Sequence, residues 1–219
     1  MKRIVIVGGG GFGRELYSYI KADLAAGRLE GFTLAGVVDD NPNCELAVKS
    51  PELTYLGALA NFEPQGNEVL VVAIGKAAIR RYIFEEIKRK GLSLFTYVHS
   101  SAQVMPEVTL GEGAVVCPNT IINVGAKLGD NVAVNVFCSV GHGASIGSHA
   151  VLSPFCALSG DSTLGVCGFM GTRATLFPGV VMGDGCIVDA HSAVRHSVGA
   201  NKVVSVRGEY LVLDNRFNR

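Results

Sequence analysis

The chain lacks an excess of either charge: 19 Lys and Arg balance 19 Asp and Glu. No basic cluster runs longer than the stretch from Arg80 to Lys90, so there is no footprint for nucleic acid and none is expected as a partner. It also lacks a long hydrophobic run. The longest, Val69 to Ile74, is far short of the ~20 residues that span a bilayer, reads as a buried strand and leaves no membrane partner expected. The opening Met1-Lys2-Arg3 with Ile4 to Val7 has the charge of a signal peptide without its apolar length, and Gly8 to Gly11 interrupts it; a cytoplasmic location is expected. Finally, the 6 cysteines contain no CxxC pair. They are expected to be packing thiols in a reducing compartment, with no metal site.

What the chain does have is a period. From Val98 to Val194 an aliphatic residue or Met stands at every sixth position without a slip, through Val104, Leu110, Val116 and onward. Four residues after these come small ones, among them Ala114, Ala126, Cys138, Ala144, Cys156 and Cys186. No helix or hairpin has a period of six. Three short strands closing one triangular coil of 18 residues do, each coil stacking on the last at ~4.8 Å. The aliphatic residue fills the axis and the small one the narrow second inward slot, while the two positions between them form corners rich in Gly, Asn and Asp.

The N-terminal third reads differently. An apolar strand over residues 3–7 runs into Gly8-Gly9-Gly10-Gly11-Phe12-Gly13, which satisfies GxGxxG between a strand and a helix over Arg14 to Ala26. A strand Thr33 to Val38 ends in Asp39-Asp40, where a ribose or base hydroxyl is commonly met. Glu68 to Ile74 reads as a third strand ending at Gly75, Ala77 to Lys90 as an amphipathic helix, and Ser93 to Tyr97 as a fourth strand. Such a unit has room for a mononucleotide but not a whole NAD, and its glycines suit a diphosphate; a lone glycine-rich turn can also be a tight strand-to-helix connection.

Residues 18 apart share a corner of successive coils. His142, two after Val140, is therefore outward, and one coil on the same position is Gly160. A histidine with a bare glycine beneath it has an open slot at its side, into which a slender thioester arm fits while the imidazole faces the reacting atom, the geometry of a general base beside an acyl donor. By the same count His149, His191 and His196 point outward and read as surface residues, while His99 shapes the entry to the first coil.

Together Val7 to Gly13, Val38-Asp39-Asp40, Ala73-Ile74-Gly75 with Arg80, Val98-His99-Ser100-Ser101-Ala102, and Val134-Asn135 to Val140-Gly141-His142 resemble the bacterial hexapeptide-repeat sugar acyltransferases, which include sialic acid O-acetyltransferase and the UDP-4-amino-sugar (bacillosamine-pathway) N-acetyltransferase. The resemblance spans residues 3–198. It implies an α/β half-Rossmann domain (1–97) for a nucleotide-activated sugar, a left-handed parallel β-helix (98–198) that forms a homotrimer, and a C-terminal tail (199–219). It also implies direct acetyl transfer from acetyl-CoA to an amino or hydroxyl group, in polysaccharide biosynthesis. By position the resemblance puts the base on His142, nucleotide-sugar contacts on Gly10, Gly11, Phe12, Asp39, Asp40 and Gly75, and acetyl-CoA contacts on Gly160, Thr172 and Ala190.

The chain departs from that family's pattern in several places. Where a carboxylate usually follows the base this chain has Gly143; Asp161, one coil on, or a neighbouring subunit is expected to supply it. The second histidine, usually nine after the base and touching CoA, is Val151, with His149 two positions earlier as a candidate CoA contact in its place. The closing Gly-x-Pro-Ala segment is represented only by Arg207-Gly208-Glu209-Tyr210, and Phe12 stands where relatives often have a histidine. Two other readings stay open: a non-catalytic trimeric nucleotide-sugar scaffold, and an O-acetyltransferase acting on a free sugar such as sialic acid.

Overall fold

The computed structural model describes residues 1–206; the Arg207 to Tyr210 segment lies outside the described residues. The chain begins with a parallel four-stranded sheet in the order β2-β1-β3-β4, formed by β1 (Lys2–Val7), β2 (Phe32–Val38), β3 (Glu68–Val72) and β4 (Ser93–Leu94). Strands β1 and β3 are continuous apolar runs because both faces are covered, as parallel sheets require. Helix α1 (Gly11–Ala25) follows β1, the short α2 (Glu45–Lys49) follows β2, and α3 (Ala77–Arg89) follows β3. The expected strand Ser93 to Tyr97 is in fact divided: Ser93–Leu94 pairs with β3, whereas Tyr97–Val98 pairs with Val115–Val116 and opens the repeat.

From Tyr97 on, two-residue strands pair in parallel with partners 18 residues away, such as Ser139 with Ala157 and Val140 with Leu158. They build three faces of five, seven and six strands, a parallel β-helix. Val140, Leu158 and Leu176 are buried on its axis, and Ala144, Ala150 and Ala174 fill the small inward slot. The slot thiols of Cys138, Cys156 and Cys186 donate to the carbonyls of Ser153, Gly171 and Gly199 at 3.2, 3.1 and 3.0 Å, which satisfies their weak donors inside an apolar column. All 6 cysteines are free. The first coil is the loosest: Val104, although in register, is exposed because no coil precedes it.

The α/β part docks on the seven-stranded face, where Tyr97, Val115 and Cys117 join Ile4, Leu16 and Ile20 in one apolar cluster. Polar ties reinforce the seam. Asp23 on α1 accepts from Tyr97 Oη at 2.8 Å and Ser100 Oγ at 2.7 Å; burial opposes its charge, but these bonds hold its carboxyl below the ordinary range. Lys88 on α3 reaches Glu112 at 2.7 Å.

Candidate active site

His142 stands on the corner between the six-stranded and five-stranded faces, in the turn between Ser139–Val140 and Ser145–Ile146. Its side chain is 67% exposed. The ring lies against Gly160: a Cβ there would sit 2.5 Å from both Cε1 and Nε2 of the imidazole. Any side chain larger than hydrogen at this position displaces the histidine ring. Asp161 Oδ2 lies 3.9 Å from His142 Nδ1, an ion-pair distance rather than a hydrogen bond, with the carboxylate 73% exposed.

The missing carboxylate after the histidine has a geometric counterpart. A Cβ on Gly143 would collide with Asp161 Oδ1, so the bare glycine leaves the room that Asp161 occupies. Gly143 also has φ +63°, in the left-handed region that glycine adopts without strain. At the same corner, the N–H of Gly160 donates to no acceptor among the described residues.

Thr172 and Ala190 lie on another corner, between the seven-stranded and six-stranded faces. They and Gly160 therefore flank the two edges of one face. Phe137 and Phe155 share the Thr172 corner column, 51% and 46% exposed, with their rings stacked at 5.1 Å and Arg173 over the second ring at 5.3 Å. Both phenylalanines have positive φ, 57° and 62°, a strained conformation for a bulky L-residue. Phe177, by contrast, packs partly against the axial cluster.

The structure corrects the reading of His149. It is not a surface residue: it is 8% exposed, because the third corner, between the five-stranded and seven-stranded faces, faces α3. Its Nδ1 accepts from Asn131 Nδ2 at 3.2 Å and its ring meets Phe84 edge-on at 5.0 Å. Burial, then Arg81 nearby, push its pKa down. It sits on a different corner from His142 and within the seam. Val151, the position nine after His142, is buried as well. His191 and His196 are exposed, and His99 packs edge-on against Tyr19 at 5.5 Å at the coil entry.

At the carboxyl ends of β1 and β2 a cleft of ≈ 140 Å³ is lined by Gly8, Asp39, Asp40, Leu59, Ile74, Ile79 and Ile83. The glycine-rich turn above it is tightly built. Asp39 Oδ2 accepts from the Gly9 N–H at 2.7 Å and Oδ1 from the Asn41 N–H at 2.9 Å. Gly9 packs on the Cys44 thiol and Gly13 on the Gly8 carbonyl, so neither admits a Cβ. Around Gly10, Gly11 and Gly75 the space is open. Phe12 is half-buried against the α/β core. A second cleft of ≈ 410 Å³ adjoins Gly11 and is lined by Arg14 and Lys49 among others, both paired with Glu45. These two cations had no signal in the sequence, since only the packing of α2 brings Lys49 to α1. Among the described residues no group of His, Cys, Asp and Glu could hold a metal ion, and no helix is long and apolar enough to cross a membrane.

Comparison with known proteins fits this geometry. The family described as the PglD N-terminal domain matches residues 3–87. PerB from Caulobacter crescentus, solved in complex with CoA and GDP-perosamine, is 30% identical, with TM-score 0.80 and 93% of each chain covered. A histidine-to-asparagine mutant of perosamine N-acetyltransferase from Caulobacter crescentus, also with CoA and GDP-perosamine, is 29% identical with TM-score 0.82, covering 95% of this chain and 98% of that one. The acetyltransferase domain of PglB from Neisseria gonorrhoeae with acetyl coenzyme A shares the fold at 24% identity and TM-score 0.78, covering 92% and 96%.

Proposed function

The chain belongs to the bacterial hexapeptide-repeat sugar N-acetyltransferases of the bacillosamine and perosamine type, built on a left-handed parallel β-helix, and from that premise we propose that it moves acetyl from acetyl-CoA to the amino group of a nucleotide-activated sugar. The observation that carries this reading is the His142 corner, where an exposed imidazole lies over bare Gly160 with Asp161 3.9 Å away.

His142 takes the proton from the acceptor nitrogen as that nitrogen attacks the thioester carbonyl; collapse of the intermediate breaks the C–S bond, and CoA leaves as the thiol with the proton His142 returns. The uncommitted Gly160 N–H donates to the oxyanion that forms, and Asp161 orients the ring. No cysteine stands at this corner, which supports direct transfer over an acyl-enzyme. The face between Gly160 and the Thr172–Ala190 corner takes the CoA arm. The domain of residues 1–97 holds the nucleotide, with Gly10, Gly11 and Gly75 opening onto its phosphates and Asp39 and Asp40 beside the ribose or base. Asp39 is already engaged with the turn, so Asp40 is the carboxylate free to meet ligand. The strained, exposed Phe137–Phe155 stack supports a homotrimer, since burial between β-helices offsets the cost of presenting it. The reaction is cytoplasmic.

An amine acceptor is favoured over a hydroxyl by the likeness to perosamine N-acetyltransferase. The non-catalytic reading rests on Gly143 and Val151, two losses from the family's usual site, and Asp161 standing in the space Gly143 vacates argues against it on the first count. The test is thiol release from acetyl-CoA against UDP-, GDP- and dTDP-linked amino sugars and free sialic acid. Turnover selective for one nucleotide amino sugar is expected; release with none of them, or with the free sugar alone, would overturn the reading.

A further inference from the structure

Arg80, on the first turn of α3, is fully buried, and among the described residues no carboxylate pairs with it. Its guanidinium meets neutral carbonyls only. Nε donates to the Asn131 carbonyl at 2.6 Å, and Nη1 to those of Val72 at 2.5 Å and Ile74 at 3.3 Å. Asn131 answers, its Nδ2 donating to the Arg80 carbonyl at 2.9 Å and to His149 Nδ1. Among the described residues Arg80 Nη2 and Asn131 Oδ1 have no partner.

Stability does not account for such a residue. Desolvating a cation against uncharged acceptors is costly, and an apolar side chain of similar volume removes that cost, which offsets the carbonyls it leaves without a donor. What a guanidinium supplies is a rigid planar fork of donors with fixed directions. Here the fork spans two bodies. The Val72 and Ile74 carbonyls lie at the carboxyl end of β3, where Ile74 walls the nucleotide cleft; the Asn131 carbonyl belongs to the β-helix, in the turn between its five-stranded and seven-stranded faces, so the tie reaches the His142 corner through the rigid body of the β-helix.

We infer that Arg80 is a positioning residue: it locks the nucleotide cleft to the β-helix at Asn131 and so sets where a nucleotide-held acceptor meets the His142 corner. The inference rests on the assignment of cleft and base made above. It predicts an unusual pattern, in which each half of the site works alone and only their alignment suffers. Misplacement by ~1 Å can cost about 10²-fold in rate.

The experiment compares the full-length wild type, Arg80→Met and Arg80→Lys. It measures kcat with the preferred nucleotide sugar, the Kd of CoA and of the matching nucleoside diphosphate by calorimetry, and Tm. For Arg80→Met we expect both affinities within about twofold and kcat lower by about 10- to 100-fold, with at most a modest fall in Tm, because the lost desolvation cost offsets the carbonyls left without a donor. Arg80→Lys, which keeps the charge but not the fork, should fall between. A methionine variant with wild-type kcat overturns the inference, as does a kcat loss matched by losses of Tm and of both affinities, which is what a merely structural role gives. If the methionine variant does not fold, the lysine variant is judged by the same criteria. A wild type that turns over no nucleotide sugar instead overturns the assignment of the site, and the inference with it.

Discussion

Replacing Gly160 with alanine tests the contact on which the site is built. The added methyl would lie 2.5 Å from two atoms of the His142 ring, where apolar contacts ordinarily begin near ~3.5 Å. The tip of the ring must retreat by about 1 Å. Because the imidazole is 67% exposed, it can turn away at little cost, and stability should change by no more than about 0.5 kcal/mol. A general base displaced by ~1 Å is another matter, and kcat should fall by about 10- to 100-fold. The assay is thiol release at saturating acetyl-CoA with the preferred nucleotide sugar. The methyl also narrows the slot beside the ring, so the KM for acetyl-CoA is expected to rise too. A double-mutant cycle separates the effects: in a His142→Ala background, Gly160→Ala should cost little further kcat, since the group it displaces is gone. Wild-type kcat in Gly160→Ala, or an undiminished loss in the double mutant, would refute the reasoning.

Asp161→Asn should lower kcat by at most about fivefold, because an exposed pair at this distance contributes about 0.2–1 kcal/mol. The difference should shrink in high salt, and a variant with no deficit at low salt would remove Asp161 from the site. Burial and Arg81 hold the His149 pKa below its ordinary value in the fold, whereas the unfolded chain protonates near ~6.5. The unfolded state binds the extra proton, so this group makes stability fall as pH drops below about 6.5 and leaves it unchanged above. Thermal melts at about pH 7.5 and about pH 5 should show a loss that His149→Gln reduces; Asp23 and Glu112, whose carboxyls are held low, act in a more acidic window. Gly13→Ala, set against the Gly8 carbonyl, should destabilise by about 1–3 kcal/mol. Gly10→Ala, with nothing within 4 Å, should leave Tm unchanged and weaken nucleoside diphosphate binding. The opposite ranking in melts and calorimetry would contradict the division of the turn into structural and ligand-facing glycines.

Much of this site follows from counting. A period of six states which side chains point inward, and a repeat of 18 states which corners stack, so the exposure of His142 and its adjacency to Gly160 and Asp161 are consequences of spacing. His149 shows where counting stops. The same rule places it outward, and outward it is with respect to the β-helix, but the period carries no information about what lies outside. There α3 covers it with Phe84, and Arg80 reaches its partner Asn131 across 51 positions of sequence. The strand Ser93 to Tyr97 divides for a related reason: apolar alternation shows that a segment is extended, not which of two sheets takes each half. Counting also places Phe137 and Phe155, three after Val134 and Leu152, outward, but it carries no sign of the positive φ that their corner imposes.

The central claim is that His142 is the base for acetyl transfer to a nucleotide-linked amino sugar. The most direct test measures that transfer by wild type and His142→Ala side by side, with CoA affinity determined for both. The account predicts that the variant binds CoA as wild type does and loses about 10²-fold or more in kcat. A variant that retains CoA binding and wild-type kcat would contradict it.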